Sequence, residues 1–345
     1  MKRRPTTTAS VMKSSMPIPK PKPKSKPTPK PIPMPILLSI VIPCYNVADQ
    51  IADLLADIFV QLAPDIELIL VNDGSADNSA AVMRTCIERW APAAGIRLVE
   101  TVNQGAAAAR AHGLALAHGE YVFFCDSDDR LATEFVATLR RTLLAFSAMD
   151  ALVFSACIED AATGRRWSKV DYPAVTAFAG GDALVAHNLQ RHAYTAAVWT
   201  YVFRRTLIGR YHAAFTGRRA HEDHLFTLKV LYAATLIVAV PHVLYTQQMR
   251  SGSLTTTPPA VGYLVDRIQA GREASQFLTS VGASCCRLYD TWSFNSVIDI
   301  LRNSRVLRAQ IVRSPVCARY LLGRPYTILG LYLQSLRRAL HLKGA

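Results

Sequence analysis

Three acids close an apolar run at Tyr121-Val122-Phe123-Phe124-Cys125-Asp126-Ser127-Asp128-Asp129. Side chains two residues apart in an extended segment point the same way, so Asp126 and Asp128 converge on one ligand. Negative charge at the end of a buried strand needs an offset, and a divalent cation supplies one. Mg²⁺ or Mn²⁺ takes one or two carboxylates and keeps positions for phosphate oxygens. A local alternative stays open, in which Ser127 or Asp129 caps a helix starting near Thr133 and the other acids are solvated. Another acid, Asp73, closes Glu67-Leu68-Ile69-Leu70-Val71-Asn72-Asp73-Gly74-Ser75. Asp-Gly is also an ordinary turn pair. Neighbouring strand ends of a parallel sheet nevertheless open on one crevice, where Asp73 would accept hydrogen bonds from a base or ribose.

The apolar pattern shows how these acids are brought together. Leu37-Leu38-Ser39-Ile40-Val41-Ile42-Pro43 has the β-branched character of a strand buried in a parallel sheet. Leu54, Leu55, Ile58, Phe59 and Leu62 then recur at helical spacing, ahead of a second apolar run from Ile66 to Val71. The alternation continues with a helix over 78–90, a strand over 96–100, a helix over 105–118, a strand over 121–125 and a helix over 133–146. It predicts an α/β fold with a mostly parallel central sheet flanked by helices. Ligands of such sheets sit beyond the carboxyl ends of the strands, where the acids fall. After Ala156 the pattern loosens, with strands predicted at 151–156 and 236–240 and helices at 182–190, 223–233 and 261–281.

Four segments in this order resemble the family 2 glycosyltransferases, whose nucleotide-sugar-binding domain has the GT-A fold. They are Ser39-Ile40-Val41-Ile42-Pro43-Cys44-Tyr45-Asn46, Val71-Asn72-Asp73-Gly74-Ser75-Ala76-Asp77-Asn78-Ser79, Asn103-Gln104-Gly105 with Ala109-Arg110, and Gly119-Glu120-Tyr121 running into Asp126-Ser127-Asp128-Asp129. The similarity runs from Leu38 to about Thr255. It implies a catalytic domain over 36–258, with a nucleotide-binding half at 36–150 and an acceptor half at 151–258, followed by a basic helical extension at 259–345. It also implies that Pro43, Tyr45 and Asn46 line the nucleotide site, that Asp73 contacts the base and that Arg110 meets the nucleotide. Asp126, Ser127 and Asp128 would hold ribose and metal-bound diphosphate, with Asp128 the leading ligand of Mn²⁺ or Mg²⁺.

Arg218-Arg219-Ala220-His221-Glu222-Asp223-His224-Leu225-Phe226 looks like the family's Glu-Asp segment, which makes Asp223 the acceptor's base. Inversion needs a base on the face of the sugar carbon opposite the departing nucleoside diphosphate. Trp199, Glu222 and Arg250 take positions near acceptor or diphosphate by the same resemblance. Each position has a structural alternative: core packing for Tyr45 and Trp199, a helix surface for Arg110, a surface loop for Arg250, and a helix dipole for Glu222 and Asp223. His221 and His224 lack the order and further ligands of a zinc site.

The function implied is transfer of one hexosyl or N-acetylhexosaminyl unit from a nucleoside-diphosphate sugar, a UDP-sugar first, to a hydroxyl of a surface-glycan or lipid-linked acceptor. The Gln-x-x-Arg-Trp signature of processive synthases is absent. A non-catalytic nucleotide-sugar-binding protein of the same fold is the alternative. A nicotinamide-dependent oxidoreductase is disfavoured, because no Gly-x-Gly-x-x-Gly follows the first strand.

Charge and composition bound the remaining classes. The formal charge is +14, but residues 1–36 and 300–345 carry nine Lys/Arg each and no acid, leaving 21 bases against 25 acids between them. The centre is therefore acidic, which argues against a nucleic-acid groove. Lys-Pro repeats make 1–35 an extended arm, either solubilising or a tether to phosphate-rich surfaces. The segment Tyr326–Arg338, with Lys343, reads as a helix lying on an anionic membrane or docked on the catalytic domain or a second subunit. Seven cysteines without a Cys-x-x-Cys, and no run of 18 uncharged apolar residues, fit a cytoplasmic protein, peripheral at the inner membrane face.

Overall fold

The computed structural model describes residues 35–90, 95–250, 260–304, 307 and 314–323. Nearly all of the Lys/Pro arm, and the segment from Tyr326 to Lys343, lie outside these residues. Strand β1 (Leu38–Cys44) and strand β2 (Ile66–Asp73) are buried almost throughout, as their continuous apolar runs require of strands covered on both faces. Helix α1 (Ile51–Phe59) packs Ile51, Leu54, Leu55 and Ile58 inward. After it come α2 (Ser79–Trp90), β3 (Ile96–Thr101), α3 (Ala106–Leu116), β4 (Tyr121–Phe124), β5 (Arg130–Leu131) and α4 (Phe135–Ala145).

The next stretch holds β6 (Ala151–Asp160), β7 (Arg166–Val170), β8 (Thr176–Phe178), α5 (Gly181–Gln190), β9 (Tyr201–Arg204), α6 (His224–Ala233) and β10 (Ile237–Met249). Helices α7 (Val261–Ser280), α8 (Cys286–Asn303) and α9 (Pro315–Leu322) close the described chain. No helix among the described residues is long and apolar enough to cross a membrane.

The sheet runs β3-β2-β1-β4-β9-β6-β10-β5, with β7 on β6 and β8 on β10. β3, β2, β1 and β4 pair in parallel, as the alternating pattern predicts. Antiparallel pairing enters with β9, which inserts between β4 and β6 against the direction of both. The predicted strands at 151–156 and 236–240 extend to Asp160 and Met249, β5, β7, β8 and β9 have no counterpart among the predicted strands, and α8 falls in the helical extension expected at 259–345.

Two close approaches set the geometry at the top of the parallel half. Helix α3 lies so near β1 and β2 that a side chain at Gly113 would collide with Val41. Gly74, with φ of +65°, turns the chain after β2, and a Cβ there would stand 2.8 Å from the Asn103 nitrogen. The core beneath the acids is aromatic, with Phe123, Phe124, Phe135, Phe154, Phe203, Phe226 and Tyr245 all fully buried. A separate apolar cluster joins α5 and α6 to α7 and α8 through Val185, Leu189, Leu228, Ala274, Leu278 and Tyr289.

Candidate active site

The carboxyl ends of β1, β2 and β4 and the first turn of α3 surround a cavity of about 440 Å³. Pro43, Tyr45, Asp73, Arg110, Asp126, Ser127 and Asp128 line it, as the motifs imply. Asn46 does not join them. Its φ of 51° turns the chain, its Oδ1 accepts the Ala76 N–H at 2.8 Å, and its own N–H donates to Ser75 Oγ at 3.0 Å. The side chain expected at the nucleotide therefore ties the loop after β1 to the loop after β2. Asp73 does two jobs. It faces the cavity, and its two carboxylate oxygens accept the N–H groups of Gln104 at 2.9 Å and Gly105 at 2.7 Å, which fixes the entry to α3.

The acidic turn after β4 is anchored from β10. Tyr245 Oη donates to Asp129 Oδ2 at 2.6 Å and receives the Asp126 N–H at 3.1 Å, while the Gln248 N–H donates to Asp129 Oδ1 at 2.8 Å. Arg250 Nη2 donates to the Asp128 carbonyl at 2.7 Å. Asp129 is thus the buried anchor of the turn rather than a helix cap. Burial, then the charge of Asp126, raises the Asp128 carboxyl above its ordinary range, against the pull of Arg250. Burial and both neighbouring acids raise Asp129 further. This is negative charge that the protein does not fully offset. Asp126 and Asp128 present hard oxygen donors to the cavity, a set that fits Mg²⁺ or Mn²⁺ completing its shell with phosphate and water oxygens. Among the described residues no group of three or more His, Cys, Asp or Glu side chains is arranged to hold a metal alone.

A second cavity of about 370 Å³ adjoins the first, and Arg110 and Asp126 line both. Arg110 rises from α3 and is almost completely buried. Its Nη1 donates to Glu222 Oε1 at 2.6 Å and its Nη2 to Asp126 Oδ1 at 2.7 Å. Burial opposes the guanidinium charge, but Asp126, Glu222 and Asp223 outweigh it and hold Arg110 protonated. The side chain expected to meet the nucleotide is thereby engaged by two carboxylates, and the helix-surface alternative is excluded by its burial. Glu222 is likewise bound to Arg110.

Asp223 precedes α6 and lines the second cavity, where its Oδ2 accepts the Val198 N–H at 3.1 Å. Burial, then the Glu222 charge, pushes its carboxyl up to about 7, against the attraction of Arg110. A carboxylate so placed accepts a proton near neutral pH. Trp199 faces the same cavity while stacking on Tyr245, with ring centroids 4.5 Å apart. His221, with φ of 58°, also faces it, and burial and the nearby Arg267 and Arg218 lower its imidazole to about 3. His224 Nε2 is taken by Tyr289 Oη at 2.6 Å.

Sequence reasoning missed the far wall of this cavity, where α7 supplies Tyr263 and Arg267 and α8 supplies Trp292. It also missed Tyr245, for which the only signal was the third acid at Asp129.

Residues 39–206 match the model of glycosyl transferase family 2. The uncharacterized glycosyltransferase YibD of Escherichia coli (strain K12) is 29% identical over 195 residues, which are 55% of this chain and 55% of that protein. The uncharacterized glycosyltransferase EpsJ of Bacillus subtilis (strain 168) is 29% identical over 203 residues, 57% of each chain. The chain thus spans about half the length of these curated relatives. Among solved structures, S. aureus TarS 1-349 in complex with UDP-GlcNAc is similar with a TM-score of 0.57 and 20% identity, over 69% of this chain and 66% of that one. The shared fold is GT-A.

Proposed function

We propose that this chain, whose residues 39–206 match the model of glycosyl transferase family 2, is a metal-dependent, inverting glycosyltransferase. It moves one sugar from a nucleoside diphosphate to a hydroxyl of a saccharide or lipid-linked acceptor. The observation that carries this reading is the pair of cavities sharing the Arg110–Asp126 wall, with Asp223 in the second. A donor in the first cavity and an acceptor in the second would meet at that wall.

The nucleotide lies against Pro43, Tyr45 and Asp73, beside the start of α3. Asp128, with Asp126, would hold Mn²⁺ or Mg²⁺, which when bound neutralises charge on the departing diphosphate. Asp223 takes the proton of the attacking hydroxyl from the acceptor side, and base and leaving group on opposite faces of the sugar carbon give inversion. Arg110 fixes Glu222 and Asp126 by a hydrogen bond to one oxygen of each, so Asp223 is the carboxyl of this wall that it does not engage by a hydrogen bond. TarS, which shares the fold, was solved with UDP-GlcNAc, and UDP-sugars are accordingly the first donors to test.

A panel of nucleoside-diphosphate sugars, each with Mn²⁺, should raise the melting temperature for one donor class. Proton NMR of the product formed from that donor should show the opposite anomeric configuration. No stabilisation by any donor would overturn the reading, and a product of retained configuration would overturn the role of Asp223.

A further inference from the structure

The far wall of the second cavity holds a cation that the fold does not neutralise. Arg267, on α7, is 3% exposed, and no ion pair joins it to a carboxylate among the described residues. Its Nη1 lies 3.5 Å from His224 Nδ1, a long contact, and its guanidinium carbon stands 4.6 Å from the centroid of the Trp292 ring. Nη2 is buried and has no hydrogen-bond partner among the described residues. His221 Nε2, on the same cavity, is also buried and without a partner there.

A guanidinium keeps its charge at any working pH, and burying it unpaired is among the costliest arrangements a fold retains. The Trp292 face offsets part of that cost but leaves the Nη2 hydrogens unused. Nearby Arg218 differs in being ion-paired, its Nη1 donating to both Glu273 oxygens at 2.7 and 2.8 Å, although its Nε and Nη2 are likewise buried without a partner among the described residues. The carboxylates on the near wall do not pair with Arg267: Asp126 and Glu222 are bound to Arg110, and Asp223 accepts the Val198 N–H. Lys169, on β7, lines the same cavity, where burial disfavours its charged form and lowers its pKa from the ordinary ammonium value. Tyr263 and Trp199 supply aromatic surface of the kind that sugar rings cover.

We propose that the acceptor carries an oxyanion, a sugar carboxylate or a phosphate, received by Arg267 Nη2 and the Nε2–H tautomer of His221, while its attacking hydroxyl faces Asp223. The proposal rests on the transfer reading above, deepens it by naming the acceptor's chemistry, and places acceptor choice in helices beyond the family match.

The full chain, with Mn²⁺ and UDP present, is titrated with glucuronate, glycerol phosphate and glucose at millimolar concentrations, reading tryptophan fluorescence. At least one anion should bind tenfold or more tightly than glucose, and which anion does so separates a carboxylate source from a phosphate source. In Arg267→Met that preference should vanish while UDP affinity, read from the other cavity, stays unchanged. Arg267→Lys should recover part of the preference, which a purely packing role would not produce. Equal affinity for all three probes, or no saturable response to either anion, overturns the proposal, and the wild-type comparison decides this even if Arg267→Met fails to fold. Failure of the unmodified chain to bind any nucleoside-diphosphate sugar would instead sink the transfer reading.

Discussion

Replacing Asp223 with Asn should slow transfer by about two to four orders of magnitude, the range expected for removing a general base. Donor affinity should hold, because Asp223 does not line the first cavity, where the donor is proposed to sit. Asn also keeps an oxygen for the Val198 N–H that Asp223 now accepts. The same change should stabilise the protein at alkaline pH. Burial and Glu222 lift the folded carboxyl from 3.8 to about 7. Between those values the unfolded chain has released a proton that the folded chain retains, so stability falls as pH rises through the window. Above pH 7 the penalty is complete, about 4 kcal/mol as an upper value at about 1.4 kcal/mol per unit. Asp223→Asn carries no such charge. Its urea midpoint should match wild type at about pH 4 and exceed it at about pH 8. The wild-type kcat/KM should rise with pH along a limb centred near 7, and the variant should lack that limb. A wild-type rate flat between about pH 5 and about pH 9, or unchanged turnover in the variant, would refute the reasoning.

Tyr245→Phe removes the hydroxyl shared by Asp129 and the Asp126 N–H. It should lower stability by about 1–3 kcal/mol and weaken stabilisation by UDP with Mn²⁺, both read from melting curves. Chelation by EDTA should abolish transfer and added Mn²⁺ restore it, while Asp128→Asn should raise the Mn²⁺ concentration needed for half-maximal rate. Gly113→Ala drives a methyl into Val41 and should cost about 1–3 kcal/mol. Adding Val41→Ala should restore part of that loss, as a urea titration of the double variant would show.

The parallel half was legible because β1, β2 and β4 are buried on both faces and appear as near-continuous apolar runs, while β3, at the sheet edge and only partly buried, follows the same alternation of strand and helix. β1, β2, β3 and β4 fall within about two residues of the expected ranges. β9 escaped because its four residues sit between short 3₁₀ turns, too few to show a period of two. Its place between β4 and β6 is also out of sequence order. The acids were visible as strand ends, and Asp73, Asp126 and Asp128 do face one cavity. Asn46 shows the limit of a motif, since a residue beside the site can serve the loop instead. Arg267 had no local signal at all. An arginine within a helix ordinarily faces water, and only the packing of α6, α7 and α8 makes this one internal.

Arg110 joins these levels. It bridges Asp126 to a partner 112 positions away in sequence, Glu222, so the two cavities share a wall only once the antiparallel half has folded against the parallel half. A buried ion pair of this kind is seldom retained for stability, since well-packed apolar side chains of similar volume often do as well. Its effect here is geometric. One planar guanidinium holds Asp126 and Glu222 at a fixed separation, as the point charge of a lysine would not. It commits Asp126 Oδ1 while that side chain stays partly exposed to the cavity, and it leaves Asp223 as the acid next to Glu222 that no cation pairs directly among the described residues. Arg110 lowers the Asp223 carboxyl that burial and Glu222 raise, and it also holds Asp126 at the first cavity, so whatever moves Arg110 disturbs both cavities together.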